Sequence, residues 1–140
     1  MAKAGPIVVV EDDEDDVVFL SDTLKQLEVT NKLVWFPNAS EALHYLNTTK
    51  DKPFFILCDV NLPLLNGIEF KKEIDNDPVL RKRSIPFIFY STSVDQRFID
   101  VAYSEMTVQG FFQKGYDFKE ISNAIKTIID YWNLCKHPNT

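Results

Sequence analysis

Five times along this chain a short apolar run ends in a polar residue or a turn and is followed by a segment of helical periodicity. No other feature restricts the fold as much. Runs this short and this apolar are buried on both faces only when helices cover both sides, the arrangement of a parallel sheet joined by helical crossovers. They lie over 7–10, 33–36, 54–58, 87–90 and 108–113. Between the first two, Val17, Leu20, Leu24 and Leu27 recur at helical spacing. Asn38 with Glu41, and Asp117 with Glu120, have the spacing of capping pairs. The first opens a helix through Ala42, Leu43 and Leu46, and the second opens a final helix whose Ile121, Ala124, Ile125, Ile128 and Trp132 share a face. A loop with Pro63 and Gly67 leads into a helix carrying Ile68, Phe70 and Ile74, and a further helix is expected over 95–106. The polar stretch 77–84 reads as a connector with one helical turn starting at Pro78. The reading is a single α/β domain over 1–140, without linker or repeat.

With 140 residues, 45% hydrophobic and 26% charged, the chain is long enough for one core and too apolar to be disordered. Its 15 basic residues against 21 acidic ones give a net charge of −6, with no long Lys/Arg cluster, which argues against direct binding to nucleic acid or an anionic membrane. No apolar run approaches the roughly 18 residues of a membrane span, and the opening segment lacks the pattern of a cleaved signal. Cys58 and Cys135 have no metal-ligand or disulfide-framework spacing. A cytoplasmic setting is expected.

Ligands of an open parallel sheet bind beyond the carboxyl ends of the strands. The polar residues at those ends are Glu11 and Asp12, Asp59, Ser91 and Lys114. Three carboxylates gathered in one cleft repel, by roughly 4 kcal/mol for two charges about 4 Å apart at an effective dielectric of 20, unless a pKa rises or a cation enters. Mg²⁺ fits, because it takes few protein carboxylates and completes its shell with water and phosphate oxygens. Asp59 is then a candidate nucleophile toward phosphorus, Lys114 a fixed cation and Ser91 a hydrogen-bond donor.

The segments 8–15 (VVVEDDED), 57–63 (LCDVNLP) with Gly67, 90–93 (YSTS) and 111–114 (FFQK) together resemble the receiver domain of two-component response regulators, over essentially the whole chain. Residues 77–81 running into Ile85, Pro86 and Ser91 resemble stand-alone receivers that partner photoreceptor-type histidine kinases. The resemblance implies a flavodoxin-like, doubly wound (βα)5 sheet of strand order 2-1-3-4-5 in three layers. It also implies a phosphoacceptor, Asp59, that takes a phosphoryl group from a sensor histidine kinase or a phosphotransfer protein and at most catalyses its own transfer and dephosphorylation. Glu11, Asp12, Asp59 and the backbone carbonyl of Asn61 would hold Mg²⁺ or Mn²⁺. Lys114 would pair with the phosphoryl oxygens and Thr92 would sit beside them. Ser91 and Phe111 would be the switch pair, drawn inward on phosphorylation, while Asn61 and Ser93 would tune the acyl-phosphate lifetime. No output domain is expected beyond the final helix, so the output is expected through a downstream protein, with the helix over 95–106, the fifth strand and the final helix as docking face. That face is also where a homodimer is expected.

Two positions depart from the family pattern. Gly115 stands where the family usually has a proline after the lysine, and Phe111 lacks the hydroxyl of the commoner tyrosine. Asp13, Glu14, Asp15 and Asp16 read as a helix N-terminus with its dipole and cap, without a catalytic role, and His44 and His137 read as surface residues. Two other functions start from the same residues. A Mg²⁺-dependent phosphohydrolase would use an aspartyl nucleophile, but Asn61 is no acid for a leaving group. A receiver-like binding module that is never phosphorylated would have lost some of the polar residues present here.

Overall fold

The computed structural model describes residues 2–92 and 95–139. After a 3-10 turn at Ala2–Ala4, the elements run β1 (Ile7–Val10), α1 (Glu14–Gln26), β2 (Leu33–Phe36), α2 (Ala39–Thr48), β3 (Phe55–Cys58), α3 (Gly67–Asn76), α4 (Pro78–Arg83), β4 (Phe87–Ser91), α5 (Gln96–Glu105), β5 (Gly110–Gln113) and α6 (Phe118–Leu134). All five strands are parallel, in the order β2-β1-β3-β4-β5. The doubly wound topology implied by the sequence is therefore the one observed.

Side chains of successive strand residues point to opposite faces, and both faces are covered. Val8, Val10, Ile56, Cys58, Phe87 and Phe89 join one buried cluster with Ala39, Ala42 and Leu46 of α2, Phe70 and Ile74 of α3 and Ala102 of α5. Ile7, Val9, Phe55, Leu57, Ile88 and Tyr90 join the other, with Val17, Leu20 and Leu24 of α1 and Ile125, Ile128 and Ile129 of α6. Full burial of an aliphatic or aromatic side chain is worth roughly 1.5–3 kcal/mol, so these two layers fix the strands and with them the strand ends.

Helix starts are marked by short polar caps. Asn38 accepts from the Glu41 N–H at 2.9 Å and Asp117 from the Glu120 N–H at 2.8 Å, as their spacing predicts. Asn66 and Glu69 form a reciprocal capping box on α3. The connector is more helical than expected: Asp77 accepts from the Val79 and Leu80 N–H groups, with Pro78 at the first position, and the turn extends into α4. The fifth strand is shorter than the apolar run, because Gln109 ends the approach to it by accepting from the Phe87 N–H at 2.6 Å through its side chain.

His137 is a correction to the sequence reading. It is buried at 2% exposure, with Nε2 on the Phe54 carbonyl at 2.7 Å and Nδ1 accepting from the Asn139 N–H at 3.0 Å. The segment after α6 thus folds back beneath β3. Close by, Lys3 Nζ donates to the Asn133 carbonyl of α6 at 2.8 Å, and Asn31 holds the Lys3 and Gly5 carbonyls. Among the described residues no helix is long and apolar enough to cross a membrane.

Candidate functional site

β1 pairs with β2 on one side and β3 on the other, so the sheet's direction of growth reverses there and a crevice opens at the carboxyl ends. The ladders continue one residue past the strands: the Glu11 N–H donates to the Phe36 carbonyl at 3.0 Å, Asp59 to Val10 at 3.0 Å and Lys114 to Ser91 at 2.9 Å. Those bonds hold three functional residues at one level. Gly67 closes the loop after β3, its N–H donating to the Val60 carbonyl at 2.9 Å. A Cβ there would lie 2.2 Å from the Asp59 carbonyl oxygen, so only glycine permits this approach.

The five strand-end residues converge. Asp59, 6% exposed, accepts at Oδ1 from the Ser91 hydroxyl at 2.6 Å and the Asn61 N–H at 3.0 Å, and at Oδ2 from Lys114 at 2.8 Å. Lys114 is also buried and donates to Glu11 and, at 2.8 Å, to Asp16. Glu11 accepts from the Asp13 N–H at 3.2 Å through its other oxygen. Glu11, exposed Asp12 and Asp59 each offer an oxygen, all within 4.8 Å of one another. This is a hard, all-oxygen donor set of the kind that suits Mg²⁺ or Mn²⁺.

The electrostatics follow from that crowding. Burial pushes the Glu11 carboxyl up to about 8, assisted by the charge of Asp59 and opposed by its bond to Lys114. Burial also pushes Asp59 upward, but bonds from Lys114 and Ser91, the Lys114 charge and the Asn61 N–H outweigh it and hold the carboxyl below its ordinary value. For Lys114, burial favours the neutral amine, yet its bonds to Asp16, Asp59 and Glu11 keep the ammonium well above the ordinary lysine range. The resting site thus holds an ionised aspartate against a cation.

The response regulator receiver domain family model matches residues 7–126. The chain belongs to this family. Its members are the phosphoacceptors of two-component signalling, with an acidic pocket for Mg²⁺ or Mn²⁺. The domain is 26% identical over 131 residues to the response regulator Rcp1 of Synechocystis sp., covering 90% of this chain and 87% of Rcp1. Over 130 residues it is 26% identical to a probable methanogenesis regulatory protein, FilR2 of Methanothrix harundinacea, covering 90% of this chain and 82% of that protein. The phosphorylated cyanobacterial phytochrome response regulator RcpA superposes with a TM-score of 0.82 at 28% identity, covering 95% of this chain and 97% of RcpA. The Mn²⁺-bound form of Rcp1 gives 0.80 at 25% identity, covering 94% and 97%.

Other residues of the receiver domain are arranged around this core. Phe111 is half-buried, its ring centroid 5.4 Å from that of Phe89 within the core cluster of α2, α3 and α5. Asn61 and Thr92 lie exposed at the rim, and Ser93 falls outside the described residues. Ser91 differs from the expected resting position, since its hydroxyl already points inward onto Asp59. Lys114 reaches the cleft although Gly115 follows it: every peptide bond among the described residues is trans. A Cβ at 115 would lie 2.5 Å from that of Glu120, so the turn after Lys114 packs directly on the start of α6.

Sequence reasoning missed Asp16. Grouped with its acidic neighbours as a helix-dipole residue, it instead places a carboxylate on Lys114, whereas Asp13 does cap the helix by accepting from the Asp15 N–H at 2.9 Å. The available signal was its position one before Val17 and four before Leu20, on the side of α1 that faces the sheet. Tyr90 was also passed over; it is buried and lines the same cleft, with the Gly115 backbone as neighbour of its hydroxyl.

Proposed function

We propose that this receiver domain is a phosphoryl switch in which Asp59 accepts the group from a sensor histidine kinase. The observation that carries this reading is the Asp59 carboxylate, buried and ionised, gripped by Ser91 and Lys114 beside two further acids. A carboxylate oxygen of Asp59 attacks the phosphorus of a phosphohistidine. The O–P bond forms as the P–N bond breaks, and the imidazole leaves with the electron pair and takes a proton from solvent. Bound by Glu11, Asp12, Asp59 and the Asn61 carbonyl, Mg²⁺ or Mn²⁺ supplies neutralisation of charge on the phosphoryl oxygens.

The chain's own residues do the rest. Lys114 passes an N–H from Asp59 to a phosphoryl oxygen, and Ser91 turns its hydroxyl from Asp59 Oδ1 to another. Thr92 borders the group, while Asn61 and Ser93 govern the approach of water and so its lifetime. Phe111, packed on Phe89, follows Ser91 and carries the change to α5, β5 and α6, through packing alone because it has no hydroxyl. The resemblance to Rcp1 and RcpA supports a photoreceptor-type kinase as donor, in the cytoplasm, and a protein target as receiver of the signal.

The test is intact-protein mass after incubation with acetyl phosphate and Mg²⁺. One added phosphoryl group is expected, absent in Asp59→Asn and absent with EDTA. Incorporation that survives Asp59→Asn would sink the reading, and steady release of phosphate from many small esters would favour a phosphohydrolase instead.

A further inference from the structure

An ammonium has three N–H donors, and Lys114 has spent all of them on carboxyl oxygens, those of Glu11, Asp16 and Asp59. Under the phosphoryl-switch reading, two of those partners change during the reaction. Glu11 belongs to the metal-binding set with Asp12 and Asp59. Asp59 turns from a free carboxylate into an acyl phosphate, and its place on Lys114 passes to a phosphoryl oxygen. Asp16 alone lies outside both groups. It sits in the first turn of α1, and the residues after it on the same side, Val17 and Leu20, are buried against β1, β3 and α6. Its backbone is thus fixed to the core, while Lys114, its own N–H on the Ser91 carbonyl, opens the connector 114–117 between β5 and α6 and reaches the cleft only through its long, flexible side chain.

We propose that Asp16 is a positioning residue for phosphotransfer: it is the permanent partner of Lys114 and keeps the ammonium over the cleft when metal and phosphoryl group take the other two. The proposal rests on the phosphoryl-switch reading for its purpose but not for its geometry, which is the 2.8 Å contact between Lys114 Nζ and Asp16 Oδ2. Asp16 touches neither the phosphoryl group nor the metal set, so it acts only through Lys114. Its side chain is 40% exposed, so the contact is one of intermediate strength. A carboxylate here also adds negative charge near an incoming phosphodianion, which by itself would slow the reaction; the proposal requires that holding the lysine outweighs that repulsion.

The test compares wild type, Asp16→Asn and Asp16→Glu in saturating Mg²⁺. In one arm, ¹⁵N-lysine NMR follows the slowly exchanging ammonium signal of Lys114, assigned by its loss in Lys114→Arg. The signal is expected in wild type and Asp16→Glu and lost to fast exchange in Asp16→Asn. In the second arm, the rate of phosphorylation by acetyl phosphate is expected to fall about fivefold in Asp16→Asn and to recover in part in Asp16→Glu. The Mg²⁺ midpoint, read from the fluorescence of Trp35, whose indole donates to the Glu11 carbonyl, should stay in place. A persistent ammonium signal, or an unchanged or faster rate in Asp16→Asn, overturns the proposal. Should wild type take no phosphoryl group, the switch reading falls, while the NMR arm still decides whether Asp16 holds Lys114.

Discussion

The proton balance at Glu11 has a consequence that reaches beyond the cleft. Its carboxyl lies near 8 in the folded chain, well above its value of 4.5 in the unfolded one, so between those limits the folded state binds more protons. Stability of the metal-free domain is then full below the lower value and declines as pH rises toward the upper one, the reverse of the trend for a salt-bridged carboxylate. Asp59 runs in that ordinary direction, but its contribution is lost only as pH falls below about 4. Thermal melts of the EDTA-treated protein should therefore show Tm falling from about pH 5 to about pH 8. Mg²⁺ should restore Tm most at the alkaline end, and a flat profile with Glu11→Gln behaving as wild type would contradict this. The residues at the strand ends were legible because polar groups ending apolar runs stand out. Asp16 and His137 were not, because a helix-start acid and a histidine near a chain end carry no periodic signal until tertiary contacts bury one face.

Secondary-structure elements are held in register by a few contacts that each bridge two of them. Lys71 of α3, 3% exposed, donates to Asp75 at 2.8 Å and to Thr107 at 3.1 Å, tying α3 to the loop between α5 and β5. Burial lowers the Lys71 ammonium, with Asp75 opposing, so the pair depends on both partners. Lys71→Ala, which leaves Asp75 without its cation, is expected to cost about 3 kcal/mol in urea unfolding; Lys71→Ala with Asp75→Ala should cost less than the sum of the single changes. At Gly67 the contact is steric. Gly67→Ala places a Cβ against the Asp59 carbonyl and should lower stability by about 2 kcal/mol or more, with slower phosphorylation because the Asp59 backbone must shift. Retention of wild-type stability there would mean that the loop after β3 yields freely. Most element positions followed from periodicity and caps; for α4 the start at Pro78 was legible but the length was not, because six residues are too few to show a period.

For the whole molecule, topology was the most legible property, since five parallel strands with helices on both faces admit few arrangements and the motif order selected this one. Which surface meets another protein was less legible, because exposure depends on packing. The face of α5, β5 and α6 presents Tyr103 and Phe118, both exposed, beside an edge strand. If this face joins two copies on phosphorylation, sedimentation velocity should show a concentration-dependent dimer with acetyl phosphate and Mg²⁺, weakened in Tyr103→Glu; monomer throughout would exclude it. At the amino ends of the strands, Lys3 and Asn133 are in direct contact and His137 is locked under β3. The first and last segments are therefore neighbours in space, far along the strands from the acids. A circular permutant, with its old ends joined by a short glycine-serine bridge and new ends opened at the exposed 50–52 turn, should keep both layers and the cleft intact, so that the order of synthesis is separable from the chemistry at Asp59.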